Sequence, residues 1–205
     1  MLFLENGNPA KLIVMNKKSG QVVKELVLPV GNPKSIHGHF RHARLTDKGT
    51  ILVAHIDMGK VCEYDANGKE LFSMNVPGVW SAEPLRNGNF LLTSKNYVRE
   101  VNRKSETIWD CPLKELSDYS ITSPQVSVRL ANGNTIINTW HNEWNGDGKV
   151  DPANQLVQAI EVTPGKEIVW ALRAWSEPAD MGPSTIIIPL NEARTDENVH
   201  FGELK

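Results

Sequence analysis

Short apolar runs alternate with polar turn residues along almost the whole chain, and no segment sustains the 3.6-residue spacing of an amphipathic helix. Two phrases recur within that alternation. The first is Leu45-Thr-Asp-Lys-Gly-Thr-Ile-Leu52, which returns as Leu85-Arg-Asn-Gly-Asn-Phe-Leu-Leu92 and as Leu130-Ala-Asn-Gly-Asn-Thr-Ile-Ile137. The second starts at Glu63, Glu100 and Glu161 and closes nine positions later on Phe72, Trp109 and Trp170. Each phrase is a hairpin: a strand, a turn rich in Gly, Asn and Asp, and a second strand. Together they predict strands at 40–45, 51–55, 61–64 and 70–74. The same reading gives 82–85, 90–93, 98–101 and 107–110, then 125–130, 135–140, 157–162 and 167–172. Pro112 opens one or two helical turns before Tyr119, because proline is tolerated at a first helical position.

A repeat of about 40 residues with four short strands is the pattern of a β-propeller blade. One such sheet has two apolar faces and cannot bury both, whereas stacking successive sheets buries them. Phe72, Trp109 and Trp170 are then equivalent wedges between neighbouring sheets. The expected fold class is all-β, of the β-propeller type. It has about four blade-equivalents of four-stranded antiparallel sheets, at 37–76, 80–112, 123–175 and 2–29, the last completed by 183–190 as its innermost strand. Residues 1–192 form the propeller and 193–205 a polar tail. Leu12 to Leu26 fits the second phrase when Asn16 is set on Asp65, so the chain starts inside a repeat. Either the ring closes at four or the chain is the C-terminal part of a larger one, and the abrupt start favours the second.

Composition narrows the function classes. At 205 residues, 22% of them charged and with formal net charge −2, the chain has no basic stretch that would favour nucleic acid. Its apolar runs are far shorter than the roughly 20 residues of a membrane helix. Met1-Leu-Phe-Leu-Glu5 meets an acid at once and has no signal-peptide layout. Cys62 and Cys111 occupy offset positions in different repeats and read as small buried hydrophobes.

In a propeller, the loops entering each innermost strand and those joining the second strand to the third share one face. Threading the repeat onto that rule gathers His37, His39, His42, His55 and Asp57 from the first full unit. Trp80, Ser81, Glu83, Ser94, Lys95 and Asn96 come from the second, and Gln125, Trp140, His141, Asn142, Glu143 and Trp144 from the third. This face is the expected functional site. Binding of a small molecule or glycan would draw on His37, Arg41, His42, Asp57, Trp80, Lys95, Trp140, His141 and Trp144. The indoles suit sugar rings or other flat apolar faces. The rival is group transfer with His39 as nucleophile and His55 as partner, Arg41 or Lys95 steadying an anion. A metal site from His37, His39 and His42 is disfavoured, because strand alternation points His42 away from the other two. Asn145, Asp147 and Asp151 lie in a run that resembles a calcium loop, but Glu143 and Asn154 stand where that template needs an aspartate and a bidentate glutamate. No resident cofactor is expected, with calcium as the one candidate.

The segments Asp65 to Phe72 and Thr163 to Trp170 resemble the repeat of quinoprotein-type propellers, the pyrroloquinoline-quinone-like repeat proteins. The first phrase with a histidine upstream, best seen over 37–65, is similar to the arylsulfotransferase family of propellers. The quinoprotein resemblance implies an exported or periplasmic parent protein. It also implies, for a quinone-dependent dehydrogenase, a longer chain with a vicinal cysteine pair, which Cys62 and Cys111 do not supply. The arylsulfotransferase resemblance implies sulfate transfer through a histidine. Repeat motifs of this kind specify packing before activity.

Overall fold

The computed structural model describes residues 1–141, 154–177, 179 and 181–189. Among them fifteen strands follow in chain order: β1 (Leu2–Glu5), β2 (Lys11–Met15), β3 (Val22–Val27), β4 (Phe40–Leu45), β5 (Ile51–His55), β6 (Lys60–Tyr64), β7 (Glu70–Asn75), β8 (Val79–Pro84), β9 (Phe90–Ser94), β10 (Tyr97–Val101), β11 (Thr107–Pro112), β12 (Ser123–Arg129), β13 (Thr135–Trp140), β14 (Ala159–Val162) and β15 (Ile168–Leu172). They make a three-stranded sheet β1-β2-β3 and three four-stranded sheets, β4-β5-β6-β7, β8-β9-β10-β11 and β12-β13-β14-β15. Strands neighbouring in sequence neighbour in space throughout, the arrangement of propeller blades. The fold is therefore all-β and of the β-propeller type. The expected helical turn after Pro112 is a single 3₁₀ turn at Leu113–Glu115, and a second lies at Ile36–Gly38.

The repeated phrases now have a physical explanation. In the first, the residue-85 amide donates to the Asn89 carbonyl at 2.8 Å and Gly88 donates back to Leu85; Leu130, Asn134 and Gly133 repeat the pattern. Gly88 and Gly133 have φ of 84° and 90°, a region that side chains with a Cβ avoid. In the second phrase the lead polar residue holds the turn through its own side chain. Asp65 Oδ1 accepts from the amides of Asn67 and Lys69, and Asn102 Oδ1 accepts from those of Lys104 and Glu106. The recurrent glutamate ties the two phrases together. Glu100 Oε1 accepts from the side chains of Asn87 and Asn89 at 3.0 and 2.7 Å, Glu161 Oε1 from Asn134, and Glu63 Oε1 from the Thr50 hydroxyl.

The chain divides into two compact units, one built on residues 1–84 and the other on 85–196. In the first, Leu12 and Leu26 of the β1–β3 sheet pack with Phe40, Ile51, Val53, Cys62 and Tyr64 of the β4–β7 sheet. In the second, Leu91, Val98 and Cys111 pack with Ile137, Ile160 and Val162 of the β12–β15 sheet. Both cysteines are free and buried, and burial pushes the Cys111 thiol up to about 11, which keeps it protonated and inert.

Two expectations need correction. Trp109 and Trp170 are not in equivalent surroundings. Trp109 packs on the second unit's core, donates its indole N–H to the Pro164 carbonyl at 2.8 Å and lies 4.6 Å beneath the Arg129 guanidinium. Trp170 is 42% exposed, because no described residue covers that face of β15 as the β12–β15 sheet covers Trp109. Residues 181–189 form no strand, and the β1–β3 sheet has no fourth member among the described residues. The Thr185 carbonyl instead accepts from the Val126 amide at 3.2 Å, the Ser184 hydroxyl donates to Asn138, and Ile187 packs on Val128, Leu130, Ile136 and Ala159. The register of β12 slips between Pro124 and Ser127, and this bulge leaves the Val126 N–H to the Thr185 carbonyl.

Candidate functional site

In the first unit the histidines fall into three environments. His37 is exposed on the 3₁₀ turn. His39 caps that turn and is fully buried. Its Nε2 donates to the Asn32 carbonyl at 3.0 Å, while Nδ1 is buried without a hydrogen-bond partner. Asp57 holds the same loop from the other side, its Oδ2 accepting from the amides of Gly31 and Asn32 at 2.6 and 3.1 Å. The loop sits close: a Cβ added at Gly31 would come within 3.2 Å of the Asp57 carbonyl oxygen and the Met58 side chain. His39 and Asp57 therefore act first as a clamp on the 31–32 backbone.

His55, at the end of β5, is fully buried, with Phe40 edge-on at 5.7 Å and the Tyr64 hydroxyl 2.9 Å from its Nε2. Burial drives its pKa down to about 4, against the weaker pull of Asp57 and Glu70. Burial also drives the Tyr64 phenol upward, so the pair is an un-ionised phenol donating to a neutral imidazole. The Pro29 backbone pulls weakly the same way as Asp57 and Glu70, and Nδ1 has no hydrogen-bond partner. Since the unfolded chain takes up a proton near 6.5 and the folded one only near 4, stability falls as pH falls through that window. The full loss is about 3 kcal/mol. Urea unfolding at pH 7.5 and at pH 4.5 captures most of it, and His55→Gln should flatten the difference.

His42 is placed elsewhere. Its Nε2 lies 3.0 Å from Glu83 Oε1, off the line of a well-formed hydrogen bond. Glu83 is 2% exposed and takes two parallel bonds from Arg44, Nε to Oε2 and Nη2 to Oε1, each 2.8 Å. Burial alone would raise this carboxyl, but His42 and Arg44 outweigh it and hold it down at about 2. His42 thus sits beside the buried Glu83–Arg44 pair. Arg44 was not singled out from sequence, although His42 and Arg44 share strand parity; Tyr64 gave no signal beyond its strand.

Two residues of the expected set do come together. The register of β4 slips between Phe40 and His42, leaving Arg41 as the extra residue of a bulge. Bulges re-aim side chains, and here the guanidinium lies 5.2 Å from the centre of the Trp80 ring. Both are half-buried, Arg41 makes no ion pair with a described residue, and burial lowers its pKa.

In the second unit, Lys95 is exposed on the β9–β10 turn. Trp140 ends β13, its carbonyl accepting from the Thr122 hydroxyl at 2.9 Å. His141 is buried edge-on against Trp175 at 6.2 Å. Trp144, Asn145, Asp147 and Asp151, and with them the calcium candidate, lie outside the described residues. Among the described residues no three His, Cys, Asp or Glu side chains gather as a metal site would require. No described helix is long and apolar enough to cross a membrane.

Sheets strung in chain order with these hairpins define a propeller-type protein, and solved structures share the fold. A protein of unknown function from Bacteroides caccae is 23% identical with TM-score 0.69, over 83% of this chain and 62% of its own. Virginiamycin B lyase from Staphylococcus aureus is 11% identical with TM-score 0.52, over 88% of this chain and 57% of its own. A catalytically inactive histidine-to-alanine variant of that lyase, solved with quinupristin, is 12% identical with TM-score 0.50, covering 82% and 54%. This chain thus spans less than two thirds of each, and likeness at such identity speaks to the fold alone. No family model matches the sequence, and no curated protein matches it.

Proposed function

We propose that this chain is a non-catalytic binding protein of the propeller type, taking a small molecule or glycan with an acidic group at Arg41 and Trp80. The observation that carries the reading is the bulge-borne guanidinium stacked on an indole and lacking an acidic partner among the described residues. A guanidinium presents its donors in a planar fork suited to carboxylate, sulfate or phosphate, and the ring beneath fixes its orientation. Half-burial strengthens each such bond by excluding water from one side. Transfer through His39 is less well supported, since that imidazole is fully buried with one nitrogen already committed to a backbone carbonyl. An aryl sulfate with a phenol acceptor should give no turnover that His39→Ala removes.

Calorimetric titration with uronic-acid oligosaccharides and aromatic carboxylates tests the reading. Losing a charge-assisted bidentate contact costs about 1.5–3 kcal/mol, so Arg41→Ala should weaken binding by about 10- to 150-fold. Equal affinity in wild type and Arg41→Ala would rule the site out.

A further inference from the structure

The second unit carries a cleft that the repeat does not account for. It is open to solvent, with a volume of about 530 Å³, on the face of β10 and β11 that points away from that unit's core. Cross-strand pairing sets Tyr97 opposite Pro112 and Arg99 opposite Asp110, so all four share that face. The Leu113 amide donates to the Asn96 carbonyl at 3.0 Å, which pins the end of β11 to the β9–β10 turn and brings Lys114 to the same cleft as Lys95. Arg99 is fixed twice, by Asp110 Oδ1 at 2.8 Å and by stacking on Tyr97 at 4.1 Å. Ile121 adds an apolar wall.

Charge selects the ligand. Three cations, Lys95, Arg99 and Lys114, face one carboxylate, Asp110, leaving two positive charges in excess. Neither lysine has a carboxylate partner among the described residues. A sulfate monoester or a carboxylate, each singly charged, would neutralise half of that excess, whereas a phosphomonoester, close to doubly charged at neutral pH, matches it. The volume suits one ring system, and the Arg99–Tyr97 stack with Pro112 and Ile121 offers it flat and apolar surface. We infer that this cleft is a binding site for a ring-bearing phosphomonoester of about mononucleotide size, with Lys95 and Lys114 holding the phosphate. The inference is independent of the Arg41–Trp80 reading.

The test is calorimetric titration of the intact chain with 1-naphthyl phosphate, 1-naphthol and inorganic phosphate. The phosphate ester should bind at least about tenfold more tightly than either fragment, with affinity falling as salt rises. Lys95→Ala with Lys114→Ala should weaken it by at least about tenfold at unchanged melting temperature. Lys17→Ala with Lys18→Ala removes the same charge from an exposed turn of the other unit and should leave it alone. Undetectable binding of the ester, or equal weakening by the two double variants, would overturn the inference. Tight binding of naphthol would assign the cleft to apolar ligands instead and overturn it too.

Discussion

Replacing Glu83 with alanine is expected to lower stability by about 3–5 kcal/mol. The carboxylate is 2% exposed and is the shared acceptor for the Arg44 fork and the neighbour of His42. Removing it takes the bidentate carboxylate from Arg44, which is about three quarters buried, and breaking a buried pair by deleting one partner costs far more than the pair was worth. For a chain of this size the melting temperature should fall by about 10 °C. The pH dependence carries a second signature. With the folded carboxyl held at about 2, its contribution is fully present above the ordinary value near 4.5 and is lost as pH falls toward 2. Thermal melts of wild type between pH 5 and pH 2 should show that loss, and Glu83→Ala should lack it. A variant within about 1 kcal/mol of wild type would mean that water, not His42 and Arg44, surrounds the carboxylate.

Trp109→Ala should cost about 3 kcal/mol, at the low end for a large aromatic because the ring keeps some solvent contact. It removes the wedge between the two sheets of the second unit, the hydrogen bond to Pro164 and the surface on which Arg129 lies. Trp170→Ala, at the matching place in the repeat, should cost under about 1 kcal/mol, since that ring is 42% exposed. Chemical denaturation of both variants side by side gives the comparison, and equal losses would mean Trp170 is covered in solution.

That contrast marks how far the sequence can be read. The phrase ending in Trp109 and Trp170 is the same, and local chemistry made both hairpins alike, down to the glutamate that accepts from the asparagines of the preceding turn. Predicted and observed bounds coincide at β4, β5 and β13, because Asp-Lys-Gly and Asn-Gly turns fix where those strands stop. What covers each sheet is not a local property, so Trp170 and residues 181–189 departed from expectation. The site was legible to a similar degree. Residue types and repeat position singled out Arg41 and Trp80, but only the bulge in β4 decides that one lies on the other. The same strand carries His42, which shares the parity of Arg44 and lies beside Glu83.

Strict sequential order within each sheet bears on how the molecule is made. Every ladder of the β4–β7 sheet closes between segments of one run, 40–75, so none awaits a distant part of the polypeptide. Contacts this close in sequence form quickly, and those strands can pair as the nascent chain leaves the ribosome.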